Sequence, residues 1–214
     1  MISRIADTLV SAAAGRLTVT ADAGAEVVPG SIVVANHTSY VDPAVVFAAL
    51  HRLGVRPVVM AAAELWRVPV LGRALAREGH IPVRRGDARA ADALERAAEA
   101  LGRGRVVLVY PEGGLPTRTD VAEAAPRAFR SGVARLSQRS GAPVVPMGQA
   151  GARRVASGRV PKQLAGVCTA PLRRPALHVH VGMPLALPGD RAAATERARQ
   201  ALTAAWRTAA ARLG

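Results

Sequence analysis

The chain has 214 residues, half of them hydrophobic, with a formal net charge of +14 and a single cysteine. That length suffices for one substantial domain with a real core. The lone Cys168 excludes an internal disulfide or a multi-cysteine zinc site, and an aromatic content of 3% leaves alanine, valine and leucine to fill the interior.

Residues 2–14 read as an amphipathic helix, with Ile2, Ile5, Leu9 and Val10 apolar. Such a helix either packs on the core, which is the first expectation, or lies on a membrane surface. Val19 starts a short strand and residues 21–30 form a loop. Strand-like runs then follow at 31–35, 57–61, 80–83, 106–110, 144–147 and 177–181. Helical patterns fall at 43–51, 70–77, 87–101, 127–140 and 191–212. Residues 159–174 are the least regular and read as a surface loop. The alternation, with short continuous apolar strands, predicts an α/β domain whose central sheet is covered by helices. There is no internal repeat and no low-complexity linker, so the whole chain reads as one domain.

The first strand-like run empties into Asn36-His37-Thr38-Ser39-Tyr40-Val41-Asp42. On one continuous helix, five positions amount to about 500° of rotation, and His37 and Asp42 would diverge. They meet if His37 lies in a turn and Asp42 sits at or near a helix start. Pro43 favours that placement, because proline suits the first helical position. An imidazole held by a carboxylate can take a proton from a hydroxyl. A plainer alternative makes Asp42 only an N-cap and His37 an ordinary loop histidine.

Three further segments stand out. Gly79-His80-Ile81-Pro82-Val83-Arg84-Arg85 ends a strand in two arginines, which offer guanidinium forks to a phosphate or carboxylate. His80 beside them is a candidate lining residue of an acceptor pocket. Val106-Val107-Leu108-Val109-Tyr110-Pro111-Glu112-Gly113-Gly114 delivers a carboxylate just before two glycines, which permit close backbone approach to a ligand. Glu112 can bind a hydroxyl or orient an arginine. Ala142-Pro143-Val144-Val145-Pro146-Met147-Gly148 reads as a core strand at the sheet edge or end. Away from these, His178 and His180 share one face of a strand, and a structural role is expected for them ahead of metal binding. Cys168 has no base near it in sequence.

Taken in order, Asn-His-x-Ser-x-x-Asp, Gly-x-Ile-x-Val-x-Arg, Pro-Glu-Gly and Pro-Val-Val-Pro resemble the four blocks of the glycerolipid acyltransferases, the family of the 1-acylglycerol-3-phosphate acyltransferases. The resemblance runs from about Val33 to Gly148. It implies a mixed, mostly parallel sheet flanked by helices, and an acyl thioester donor on coenzyme A or acyl carrier protein, with no metal or other cofactor. It implies His37 as general base and Asp42 as its orienting acid. Asn36, Ser39, Arg84, Arg85, Glu112, Gly113, Gly114 and Arg118 become candidates for substrate binding. The attacking oxygen would come from the acceptor. A covalent route through Ser39 is the lesser alternative, since no Gly-x-Ser-x-Gly elbow is present.

One departure matters. The family's third block continues Glu-Gly-Thr-Arg, whereas here Gly114-Leu115 follow Gly113. Either Arg118 substitutes, or the acceptor lacks a phosphate, so a non-phosphorylated alcohol or an amine stands as the alternative acceptor. A non-catalytic lipid- or carrier-binding module is the alternative of another class. Nearly all the positive charge is arginine, Lys162 being the sole lysine, and it suits acidic headgroups or an acidic carrier protein. Nucleic acid is not expected, for lack of stacking aromatics and zinc-finger spacing. No apolar run reaches spanning length and Arg4 and Asp7 break any secretory pattern. The expected location is cytoplasmic, with peripheral contact at an anionic inner membrane face.

Overall fold

Strand β2 (Ile32–Ala35) is fully buried on both faces, and that requirement explains its four consecutive apolar residues. In the computed structural model, which describes residues 1–14, 16–84, 90–114, 122–158 and 160–213, β2 lies at the centre of a seven-stranded sheet. The other strands are β1 (Arg16–Ala21), β3 (Val58–Ala62), β4 (Ile81–Val83), β5 (Val107–Val109), β6 (Val144–Ala150) and β7 (Ala176–Val181). Their spatial order is β1-β7-β6-β2-β5-β3-β4. All neighbouring pairs are parallel except β6 with β7.

Alternate residues of the central strands feed two cores. Val33, Leu108, Val145 and Met147 face helices α1 (Ile2–Ala13) and α2 (Asp42–Arg52). Ile32, Val34, Val107 and Val144 face α4 (Ala90–Gly102), α5 (Gly132–Ser140) and α8 (Arg191–Ala211). Each such side chain, fully buried, contributes about 1.5–3 kcal/mol. Between β3 and β4 the chain passes through a 3-10 helix (Ala63–Arg67) and α3 (Pro69–Arg77). Beyond β6 come α6 (Ala152–Val155) and α7 (Val160–Arg173).

Four expectations need correction. The fourth block is not an edge strand: β6 lies between β2 and β7. Pro146 is tolerated there because its carbonyl side faces Gly182, just past the end of β7. The N–H that proline lacks would point the same way, and β7 has ended there, so no bond within that strand is lost. Strand β1 runs from Arg16, three residues before Val19. The supposed loop at 159–174 is largely helix α7. Prolines and Gly166 hide its periodicity, yet Gly166 lets α7 press on α6, where a β-carbon would meet the Val155 carbonyl at 2.5 Å. Arg173 then bonds the carbonyls of Arg154 and Gly166, each at 2.7 Å. Helix α5 begins at Gly132 and not at residue 127, because the backbone N–H groups of Arg127 and Arg130 are committed to block three.

Helix α8 approaches β6 so closely that a β-carbon at Gly148 would collide with the backbone of Ala205 and Trp206. Gly148→Ala is therefore expected to lower stability by about 1–3 kcal/mol or more, read as a reduced urea midpoint.

Candidate active site

The turn after β2 is organised by one carboxylate. Asp42 opens α2, with Pro43 behind it, and its side chain is 0% exposed. Its Oδ2 accepts the backbone N–H of Thr38, the backbone N–H of Ser39 at 2.7 Å, and pairs with His37 Nδ1 at 3.1 Å. The buried charge is thus met by three donors, the condition under which burial is tolerable. Because Nδ1 carries the proton given to Asp42, Nε2 holds the lone pair. Nε2 has no protein partner among the described residues.

Two more attachments fix the turn. Asn36 prolongs β2 with its side chain: Oδ1 accepts Gln149 N at 2.8 Å, and Nδ2 donates to the Gln149 carbonyl at 2.9 Å. The turn leaving β5 supplies Glu112, whose side chain is 2% exposed. Glu112 Oε1 accepts the backbone N–H of His37 at 2.9 Å, and Oε2 accepts Arg127 N at 3.0 Å and Arg127 Nε at 3.3 Å. Arg127 also donates to the Gly114 carbonyl. The first and third blocks are therefore joined through one carboxylate at the carboxyl ends of adjacent parallel strands, where α/β sheets place their ligand crevices. Tyr110, also leaving β5, lies tilted against the His37 ring with centroids 4.7 Å apart. Burial, reinforced by the Asp42 charge, holds its phenol well above the ordinary range and so neutral.

His37 opens onto a cavity of about 1390 Å³. Its walls are apolar: Ile2, Ile5 and Leu9 from α1, Phe47 from α2, Val59 to Ala62 from β3, and Leu65, Leu71 and Leu75 around α3. The polar end holds His37, Tyr110, Gly113, Gly114, Arg130 and Arg135. The volume exceeds the usual 300–1,000 Å³ or so of a small-molecule pocket.

Residues 16–149 match the family profile described as Acyltransferase. The chain belongs to this acyltransferase family. A curated relative, the chloroplastic 1-acyl-sn-glycerol-3-phosphate acyltransferase BAT2 of Brassica napus, is 31% identical over 129 residues. The match covers 58% of the chain and only 35% of that relative's length. Among solved structures, the 1-acyl-sn-glycerophosphate acyltransferase PlsC of Thermotoga maritima superposes with a TM-score of 0.65 at 19% identity, covering 94% of this chain and 76% of that one. At that identity the likeness speaks for the fold alone, and it agrees with the mixed, mostly parallel sheet.

Within this acyltransferase fold, the sequence-predicted residues divide. His37, Gly113 and Gly114 line the cavity. Asn36 and Ser39, expected to touch substrate, are turned inward. Ser39 donates to the Ala156 carbonyl at 2.7 Å, which removes it from any route to a thioester. Glu112 is likewise committed to protein groups; of its two anticipated roles it performs the orientation of an arginine, Arg127. Arg84 is exposed at the end of β4 and the cavity wall stops at Val83. Arg85 and Arg118 lie outside the described residues. His80 does not line the cavity: it is buried and accepts Val59 N at 3.0 Å through Nδ1. Cys168 is exposed on α7. His178 Nε2 and His180 Nδ1 both meet Thr20 Oγ1 at 2.9 Å, and His180 Nε2 meets Asp22 at 3.0 Å, tying edge strand β1 to β7. Sequence reasoning missed Arg127, Arg130 and Arg135, because all three fell inside an apparent helix.

Burial lowers the pKa of His80, against a smaller opposing pull from Glu78. Burial also lowers that of His178, helped by Arg212 and His180. Both are neutral in the fold. Their contribution is complete above the unfolded value of 6.5 and is lost as the pH falls below it. The urea midpoint is expected to drop between about pH 7 and pH 5, with His80→Gln flattening part of that slope.

Proposed function

We propose that this chain transfers an acyl group from a thioester, on coenzyme A or acyl carrier protein, to a hydroxyl of a lysophospholipid such as 1-acylglycerol-3-phosphate. The observation that carries the reading is a histidine oriented by a buried aspartate at the polar end of a long apolar cavity. Membership of the acyltransferase family and the printed activity of the Brassica napus relative support it.

His37 Nε2 takes the proton of the acceptor hydroxyl as that oxygen attacks the thioester carbonyl. Asp42 stabilises the imidazolium so formed. When the tetrahedral intermediate collapses, the carbon–sulfur bond breaks and the imidazolium returns its proton to the departing thiolate. The acyl chain lies along the walls given by α1, β3 and α3. General-base catalysis of this kind contributes about 10²–10⁴-fold. His37→Ala is expected to reduce kcat by at least that range with the urea midpoint little changed, in an assay of free thiol release from acyl-coenzyme A plus lysophosphatidate. Wild-type turnover in the variant would overturn the reading.

The mouth of the cavity is ringed by exposed apolar side chains: Leu9 is 61% exposed, Tyr40 67% and Val70 80%. Exposed arginines stand on the same elements, Arg4 on α1 with Leu9 and Arg73 on α3 with Val70, and Arg67 ends the 3-10 helix just before α3. No helix among the described residues is long and apolar enough to cross a membrane. A collar of this composition suits peripheral seating on an anionic bilayer, from which a lysolipid enters. Val70→Glu is expected to lower co-sedimentation with phosphatidylglycerol-containing vesicles several-fold while thiol release with soluble short-chain substrates persists. Unchanged co-sedimentation would remove the collar from this role.

A further inference from the structure

The third block lacks the family's Thr-Arg, yet the polar end of the cavity is not neutral. Two guanidinium groups line it, from Arg130 and Arg135. Neither meets a carboxylate among the described residues. The nearby acid, Glu112, cannot neutralise them, since both its oxygens already hold His37 N and Arg127. Among the described residues, Arg127 is the arginine of this loop with a carboxylate partner and Arg130 the one without.

Arg130 is also placed with care. Its backbone N–H donates to the Pro111 carbonyl at 3.0 Å, fastening residue 130 to the third block. Its side chain crosses Gly113 so closely that a β-carbon there would lie 2.5 Å from Nε and 2.9 Å from Cδ. Gly113 has φ +74°, so glycine is required twice, for the turn and for the arginine above it. Glu112, next in the chain, bonds the His37 backbone. Arg130 therefore stands on the shelf directly attached to the base. Arg135, in the first turn of α5, is a second cation lining the same cavity.

We propose that Arg130, seconded by Arg135, is the specificity-determining position of this site and grips the phosphate of the acceptor. It does so from outside the four sequence blocks, in place of the missing Thr-Arg. The inference rests on the acyl-transfer reading. A guanidinium presents paired N–H donors that match two phosphate oxygens, and an arginine without a protein carboxylate partner keeps those donors for a ligand. A phosphate held over Gly113 sets the glycerol hydroxyl of the same molecule toward His37.

The test compares acyl transfer to 1-acylglycerol-3-phosphate and to phosphate-free monoacylglycerol by Arg130→Ala, Arg130→Lys, Arg135→Ala and the wild type. Arg130→Ala is expected to raise KM for the phosphorylated acceptor at least tenfold. The KM for acyl-coenzyme A and the rate on monoacylglycerol should change less than about twofold. Arg130→Lys should recover part of the loss, and Arg135→Ala should show a smaller one. Gly113→Ala, which displaces the Arg130 side chain, should reproduce the acceptor effect. An unchanged KM for lysophosphatidate overturns the proposal, as does an equal loss on monoacylglycerol or a loss confined to acyl-coenzyme A. Should the wild type transfer no acyl group at all, the enzymatic reading fails separately. Equilibrium binding of lysophosphatidate then decides the arginine's part, weakened at least tenfold in Arg130→Ala if the assignment holds and unchanged if it does not.

Discussion

Everything at the polar end of the cavity depends on a buried carboxylate that gathers three donors on one of its oxygens. Asp42 has no water to stabilise it, so the chain must supply N–H groups in its stead. It takes them from its own turn, at Thr38 and Ser39, and from the His37 ring. This solves two problems with one group. The loop between β2 and α2 is fastened beyond its one main-chain turn bond, from Asp42 N to the Ser39 carbonyl, and the imidazole acquires a fixed tautomer and direction.

Glu112 repeats the device on the neighbouring strand. Its two oxygens join the His37 backbone to the segment carrying Arg127. The two buried acids therefore form a bracket across β2 and β5, whose hydrophobic pairing sets the distance between them. Packing fixes where the strands end, and charge-assisted hydrogen bonds fix what the loops do beyond those ends. The division explains why the residues named by the sequence blocks are so often supports. Asn36, Ser39 and Glu112 hold the site from behind, leaving His37, Tyr110, the paired glycines and two arginines to line the cavity.

The legible parts were those governed by local chemistry. Continuous apolar runs such as residues 31–35 declared buried parallel strands. The His37–Asp42 spacing, with Pro43, declared a turn running into a helix start. What stayed hidden was settled by tertiary partners. Residues 127–131 look helical, yet two of their N–H groups are claimed by Glu112 and Pro111. Prolines and a glycine disguise α7, although Gly166 is what allows its close packing. His80 sits beside an apparent binding segment, but its ring serves a backbone amide of β3. Pro146 looks like an edge marker, yet it stands inside the sheet opposite Gly182, where β7 has already ended.

The grip of Asn36 on residue 149 has a broader implication. The atoms it seizes are an amide and a carbonyl of the main chain, and the Gln149 side chain takes no part. Nineteen of the twenty amino acids offer that same pair; proline alone withholds the amide. A dependency written in peptide groups leaves no trace in residue identity. A substitution of Gln149 by any residue but proline thus leaves the anchor behind the histidine with both of its bonds.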